Sequence, residues 1–202
     1  MVGRSYPPQG WEITWQQVME GVKAKKSVYA KAGVGHGHRV AILFEQRPEF
    51  FFHYYALNAL GAGIVPINPD YLTDEVKYVV EHSEASLAVC VDSRIEEMIS
   101  ISSEITTDIK VVSFDSFPEE LPKLPEAPYK DAPSAATEAA LIYTSGTTGK
   151  PKGCVLTNEY FHTFGASYLF AGGRLDFRDT GERLYNPLPL HHANCLSISV
   201  PA

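Results

Sequence analysis

Arg39-Val40-Ala41-Ile42-Leu43-Phe44, then Pro48 through about Leu60, then Gly63-Ile64-Val65-Pro66-Ile67 form the stretch that decides the fold. The two flanking runs are short and apolar, the composition of strands that a parallel sheet buries on both faces. Between them Pro48 suits the first turn of a helix, and Gly61 and Gly63 punctuate its exit. The reading is strand, helix, strand, the unit from which parallel sheets are built.

The same alternation extends outward. Thr14 and Gln17 make a capping-box pattern. Trp15, Val18, Met19, Val22, Tyr29 and Ala30 then recur at helical spacing until Gly33 offers a stop. Beyond Ile67, Thr73 is read as the cap of a helix running to about His82. Ser86–Val91 reads as a strand, Arg94–Glu104 as a helix and Lys110–Phe114 as a further strand. The expected fold class is α/β: a doubly wound, mostly parallel sheet with flanking helices.

From Asp115 to Pro133 the prolines at 118, 122, 125, 128 and 133 are too closely spaced for a helix or an inner strand. This segment reads either as a linker or as a long extended crossing into further sheet. The organisation expected is an α/β layer over 1–114, a proline-rich crossing over 115–137, and a third segment over 138–202.

Bulk properties exclude several classes. The 202 residues are 45% hydrophobic and 20% charged, a globular composition, with a net charge of -7. No run of like charges exceeds a pair, so no basic stripe is available to grip nucleic acid. Residues 50–69 carry no Asp, Glu, Lys or Arg and approach the roughly 20 residues of a membrane span. Asn58, Gly61, Gly63, Pro66, Asn68 and Pro69 break that run, which reads as buried helix, turn and strand, so no membrane insertion is expected. Cys90, Cys154 and Cys195 are widely spaced and odd in number, giving neither a metal site nor a disulfide framework. The first residues lack the apolar run of a secretory signal, and the expected location is the cytoplasm. Nothing in the sequence indicates an oligomeric state.

The chemistry concentrates after the crossing. Ala139–Tyr143 is an apolar strand, Thr144–Lys150 contains only small, hydroxyl or glycine residues and one lysine, and Gly153–Leu156 returns to strand composition. Gly146 and Gly149 let backbone N–H groups approach an anion. Thr144, Ser145, Thr147 and Thr148 add hydroxyl donors, and Lys150 and Lys152 add positive charge. Polyphosphate suits this set. The loop is not a Walker A sequence, which needs four residues between its first glycine and Gly-Lys and a Ser or Thr after the lysine. Here two residues separate Gly146 from Gly149, and Pro151 follows Lys150. The plainer alternative is a glycine-rich hairpin turn with exposed hydroxyls.

Tyr143-Thr144-Ser145-Gly146-Thr147-Thr148-Gly149-Lys150-Pro151-Lys152-Gly153 resembles the signature of the AMP-binding, or adenylate-forming, superfamily, which includes acyl-CoA synthetases, luciferases and peptide-synthetase adenylation domains. Ile13–Val18 resembles that family's first helix and Ala59–Pro69 its second motif. Asn186–Asn194 is similar to its Pro-Leu-aromatic-His segment beside the acyl pocket. His192 takes the place of the pocket histidine, and His191 stands where an aromatic residue is more usual.

The resemblance implies the N-terminal portion of an acyl-CoA synthetase that uses ATP, Mg²⁺ and coenzyme A to activate a carboxylic acid. Thr144, Ser145, Gly146, Thr147, Thr148, Gly149, Lys150 and Lys152 would hold phosphate, and His192 would line the acyl site. The family's adenine-binding segment, ribose-holding aspartate and C-terminal catalytic lysine have no counterpart in this sequence. Its end at Pro201-Ala202 reads as a truncation, so these residues are expected to be inactive alone. An adenylation domain loading a carrier protein, and a short chain that binds nucleotide without ligating, remain the alternatives.

Overall fold

The computed structural model describes residues 13–144, 150–171 and 186–200. Six strands form one sheet: β1 (Arg39–Leu43), β2 (Gly63–Ile67), β3 (Leu87–Cys90), β4 (Lys110–Ser113), β5 (Glu138–Thr144) and β6 (Lys152–Thr157), in the order β4-β3-β1-β2-β5-β6. All neighbours are parallel except β5 and β6, which are antiparallel. The helices are α1 (Trp15–Ala32), α2 (Glu49–Asn58), α3 (Thr73–His82), α4 (Ile95–Glu104), α5 (Asn158–Ala171) and α6 (Ala193–Ser199), with a short 3-10 turn at Asp92–Arg94.

Alternate residues along the strands divide between two cores, as the two-residue period of a pleated strand requires. Val40, Ile42, Ile64 and Val89 join Tyr29 of α1 and Phe50, Ala56 and Leu57 of α2 on one face. Ala41, Leu43, Val65 and Ile67 join Val76, Val79 and Val80 of α3 and Met98 and Ile101 of α4 on the other. The sheet is thus doubly wound, and the run over residues 50–69 is α2, a turn and β2. No helix among the described residues is long and apolar enough to cross a membrane.

The helical spacing along α1 does not all become core, and one expected cap is corrected. Trp15 and Met19 are 71% and 54% exposed, while Tyr29 and Ala32 are buried. α1 packs on α2, where an added Cβ at Gly21 would lie 2.7 Å from Phe52 Cδ2, and Trp15 and Met19 lie off that contact. Thr73 does not cap α3; it is the first residue of that helix, and its hydroxyl bonds Glu97. The Leu72 N–H at this end donates to Glu75 Oε2 at 2.8 Å. The box at α1 forms as expected, with Gln17 N donating to Thr14 Oγ1 at 3.2 Å and Thr14 N to Gln17 Oε1 at 2.8 Å. Gly33 closes that helix at φ 93°, a left-handed value that favours glycine.

Residues 114–137 contain no helix or strand, and they stay on the body. Leu124 N donates to Ala32 O at 2.9 Å and Tyr129 N to His36 O at 3.1 Å. The segment delivers β5 into the same sheet, beside β2. There Arg39 of β1 makes a paired contact with Glu138 of β5, Nε to Oε1 at 2.7 Å and Nη2 to Oε2 at 2.8 Å. This bridge passes over Gly63 of β2, where an added Cβ would lie 2.7 Å from Glu138 Oε1. Glycine at that position is what lets the charged pair close across the intervening strand.

Candidate functional site

β5 is buried from Ala139 to Ile142 and becomes accessible at Tyr143 and Thr144. Because β5 is parallel to β1–β4, it ends at the sheet's carboxyl edge, where open α/β sheets bind ligands. β6 returns antiparallel, with Tyr143 opposite Gly153 and Thr144 opposite Lys152. The connection between them therefore closes as a hairpin, with Thr144 and Lys152 facing each other at its base. An added Cβ at Gly153 would lie 3.0 Å from Leu141 Cδ1 and 3.3 Å from Tyr143 Cζ, so glycine lets β6 lie close against those two side chains.

Of the residues expected to hold phosphate, the structure brings Thr144, Lys150 and Lys152 together at this end of the hairpin, all three exposed. Ser145, Gly146, Thr147, Thr148 and Gly149 lie outside the described residues. Two exposed ammonium groups beside a hydroxyl at a carboxyl edge form a surface that attracts anions.

α3 lies behind this hairpin. Tyr78 Oη donates to Pro151 O at 3.1 Å, and Lys150 Nζ stands 5.0 Å from the centre of the Tyr78 ring. His82 Nδ1 is 2.7 Å from Tyr143 Oη. Burial, then the neighbouring Tyr78, pushes the Tyr143 phenol up to about 12, so it stays protonated at neutral pH. These α3 contacts were not expected from sequence. The available signal was the four-residue spacing of Tyr78 and His82, which places both rings on one side of a helix that buries Val76, Val79 and Val80.

His192 sits elsewhere along the same edge. It is the N-cap residue of α6 at φ -98° and ψ 136°; its N–H donates to Pro189 O at 2.9 Å, and its side chain is exposed. His191 is half-buried. The Asn186–His192 segment is held by Gln46, three residues past the end of β1. Gln46 Nε2 donates to Leu188 O at 3.2 Å, and Leu190 N donates to Gln46 Oε1 at 2.8 Å. Because β2 alone separates β1 from β5, the histidine segment and the hairpin occupy neighbouring stations on one edge. Gln46 carries no local signal, since its partners lie more than 140 residues away. α6 is fixed behind this segment by Tyr160 Oη, 2.9 Å from Ser197 Oγ, and by Tyr55 Oη donating to Val200 O at 2.9 Å.

The sequence matches the family model described as AMP-binding enzyme over residues 5–202. It is 31% identical over 204 residues to the long-chain-fatty-acid–CoA ligase FadD15 of Mycobacterium bovis, covering 95% of this chain and 34% of that protein. It is also 31% identical over 147 residues to tyrocidine synthase 2 of Brevibacillus parabrevis, covering 73% of this chain and 4% of the synthase. Among solved structures, o-succinylbenzoate CoA synthetase of Bacillus subtilis, in complex with its acyl-adenylate intermediate, aligns with a TM-score of 0.75 at 25% identity. That alignment covers 95% of this chain and 47% of the other. The chain spans about a third of the length of the FadD15 ligase. Signature hairpin, sheet order and family match agree: the chain belongs to the family of AMP-binding enzymes.

Proposed function

We propose that this chain carries the phosphate-gripping part of an ATP-dependent acid–thiol ligase that forms an acyl-adenylate and then a thioester. The observation that carries the proposal is the signature hairpin closing at the carboxyl edge, with Lys150 and Lys152 flanking its loop. In the first step a carboxylate oxygen attacks the α-phosphorus of ATP; the bond to the bridging oxygen breaks, and pyrophosphate leaves with its electron pair. In the second, a thiol gives up its proton and its sulfur bonds to the acyl carbon; the bond from that carbon to the phosphate oxygen breaks, and AMP leaves with the electron pair. The transferring groups are anionic throughout, so catalysis rests on donors preorganised around the β- and γ-phosphates.

Thr144, Ser145, Gly146, Thr147, Thr148 and Gly149 are assigned to that cradle, with Lys150 and Lys152 supplying charge. His192 is assigned to the acyl site; its exposure beside the Gln46-held segment leaves its imidazole free to meet a substrate. Among the described residues no group of three or more His, Cys, Asp or Glu side chains converges on a metal position. Bound with the nucleotide, Mg²⁺ would offset charge developing on the polyphosphate.

Coenzyme A is the proposed thiol, on the strength of the Pro189-Leu190-His191-His192 segment and the likeness to CoA ligases. The likeness to tyrocidine synthase 2 favours a carrier-protein thiol as the second reading. A reducing cytoplasm suits the three free cysteines, of which Cys154 is exposed.

Exchange of labelled pyrophosphate into ATP, measured on the full-length gene product over a panel of carboxylic acids, tests the ligase assignment. At least one acid is expected to support exchange, and coenzyme A to trap the adenylate as a thioester. Exchange with no acid in the panel would sink the assignment, while exchange without coenzyme A trapping would favour the carrier-protein reading.

A further inference from the structure

We infer that Tyr78 and His82 of α3 are positioning residues for the phosphate loop, clamping both of its ends to one helix; this rests on the phosphate reading of the hairpin. The loop from 145 to 151 is rich in glycine and hydroxyl residues, so by itself it would lose much conformational freedom on binding an anion. Fixing its ends in advance reduces that loss and raises affinity without any new contact to the ligand.

The structure fixes both ends. On the entry side, Tyr143 Oη meets His82 Nδ1 at 2.7 Å, with the rings edge to face and their centroids 5.7 Å apart. On the exit side, Tyr78 donates to the Pro151 carbonyl at 3.1 Å and places its ring face 5.0 Å from the Lys150 ammonium, within cation–π range. The Tyr78 and His82 rings touch each other at a centroid distance of 5.2 Å, and Tyr78 meets Tyr143 at 6.4 Å. Three rings thus form one cluster between α3 and the strands that carry the loop. α3 is a firm reference for that cluster, because Val76, Val79 and Val80 are fully buried against the sheet.

The entry contact can form in either sense: the phenol can donate to a bare Nδ1, or an Nδ1–H can donate to the phenol oxygen. Lys150 gains orientation as well as attraction from the ring beneath it, so its ammonium is offered to the loop from a defined side.

Calorimetric titration of the full-length gene product with MgATP and with inorganic pyrophosphate tests the clamp, alongside amide exchange over residues 143–153. Tyr78→Phe keeps the ring under Lys150 and loses only the Pro151 bond, so it should weaken both ligands about two- to threefold. Tyr78→Leu loses ring and bond together and should weaken them about tenfold. His82→Leu should weaken binding about fivefold, and His82→Asn, which retains a polar partner for Tyr143, should restore most of it. Faster exchange at 143–153 with affinity unchanged in all three weakening variants would show a merely structural role and overturn the inference. If wild type bound neither ligand, the phosphate reading itself would fail and take the clamp with it. If Tyr78→Leu unfolds by circular dichroism, Tyr78→Phe and the His82 pair decide the matter alone.

Discussion

Between pH 6.5 and about 3 the chain is expected to lose about 4 to 5 kcal/mol of folding stability through His53 alone. His53 is 1% exposed, packed against Phe114 and Phe117, with Nδ1 2.6 Å from Tyr29 Oη. Burial is the main cause holding its pKa down at about 3, and the Lys25 ammonium adds to it. Burial also pushes the Tyr29 phenol well above its usual range, so that hydroxyl stays protonated and shares one hydrogen bond with the neutral imidazole.

A folded-state pKa below the unfolded value means that the unfolded chain takes up the proton first. The contribution is therefore fully present above about pH 6.5 and declines as pH falls toward 3. His53→Gln keeps an acceptor for Tyr29 and removes the titration. Denaturant unfolding across this range should show wild type losing stability faster than the variant by more than about 1 kcal/mol per pH unit at the steepest point. Parallel profiles would show that burial of the neutral imidazole is not coupled to folding.

Lys152→Ala should lower the rate of adenylation by about 10²-fold in the full-length enzyme, the typical cost of removing one preorganised electrostatic contact to a developing anion. The backbone of Lys152 is paired with Thr144 and its side chain is exposed, so the substitution leaves the hairpin intact. Stability should stay within about 0.5 kcal/mol of wild type, which separates a catalytic loss from a folding one. Thr144→Val should have a smaller effect, since several donors share the task and no single hydroxyl is decisive. Adenylation kinetics unchanged in Lys152→Ala would contradict the placement of this lysine beside the phosphates.

The strands were legible because buried parallel strands declare themselves locally as short apolar runs between turn residues. β2 falls at Gly63–Ile67 as expected, and β1, β3 and β4 end within two residues of expectation. The misreadings arise where tertiary geometry overrides local pattern. Trp15 and Met19 obey helical spacing but are exposed, and Thr73 gives its hydroxyl to Glu97 instead of to a helix end. Whether residues 115–133 link domains or cross a surface could not be read locally. What decides it is the pairing of β5 with β2 and the reach of Glu138 to Arg39, 99 residues earlier.

The candidate site divides in the same way. Tyr143–Gly153 announces itself by composition, because an anion cradle needs glycine, hydroxyl and lysine at close spacing. The groups that hold it and the histidine segment do not, because Tyr78, His82 and Gln46 act through partners 61 to 144 residues away.

The hairpin at residues 143–153 is proposed to grip polyphosphate, and hydrogen exchange read by mass spectrometry tests this at the hairpin itself. Added inorganic pyrophosphate should slow exchange in the peptide spanning Tyr143–Gly153, and Lys152→Ala should abolish most of that protection. Saturating pyrophosphate that leaves this peptide unprotected, or protects another part of the sheet instead, would contradict the account.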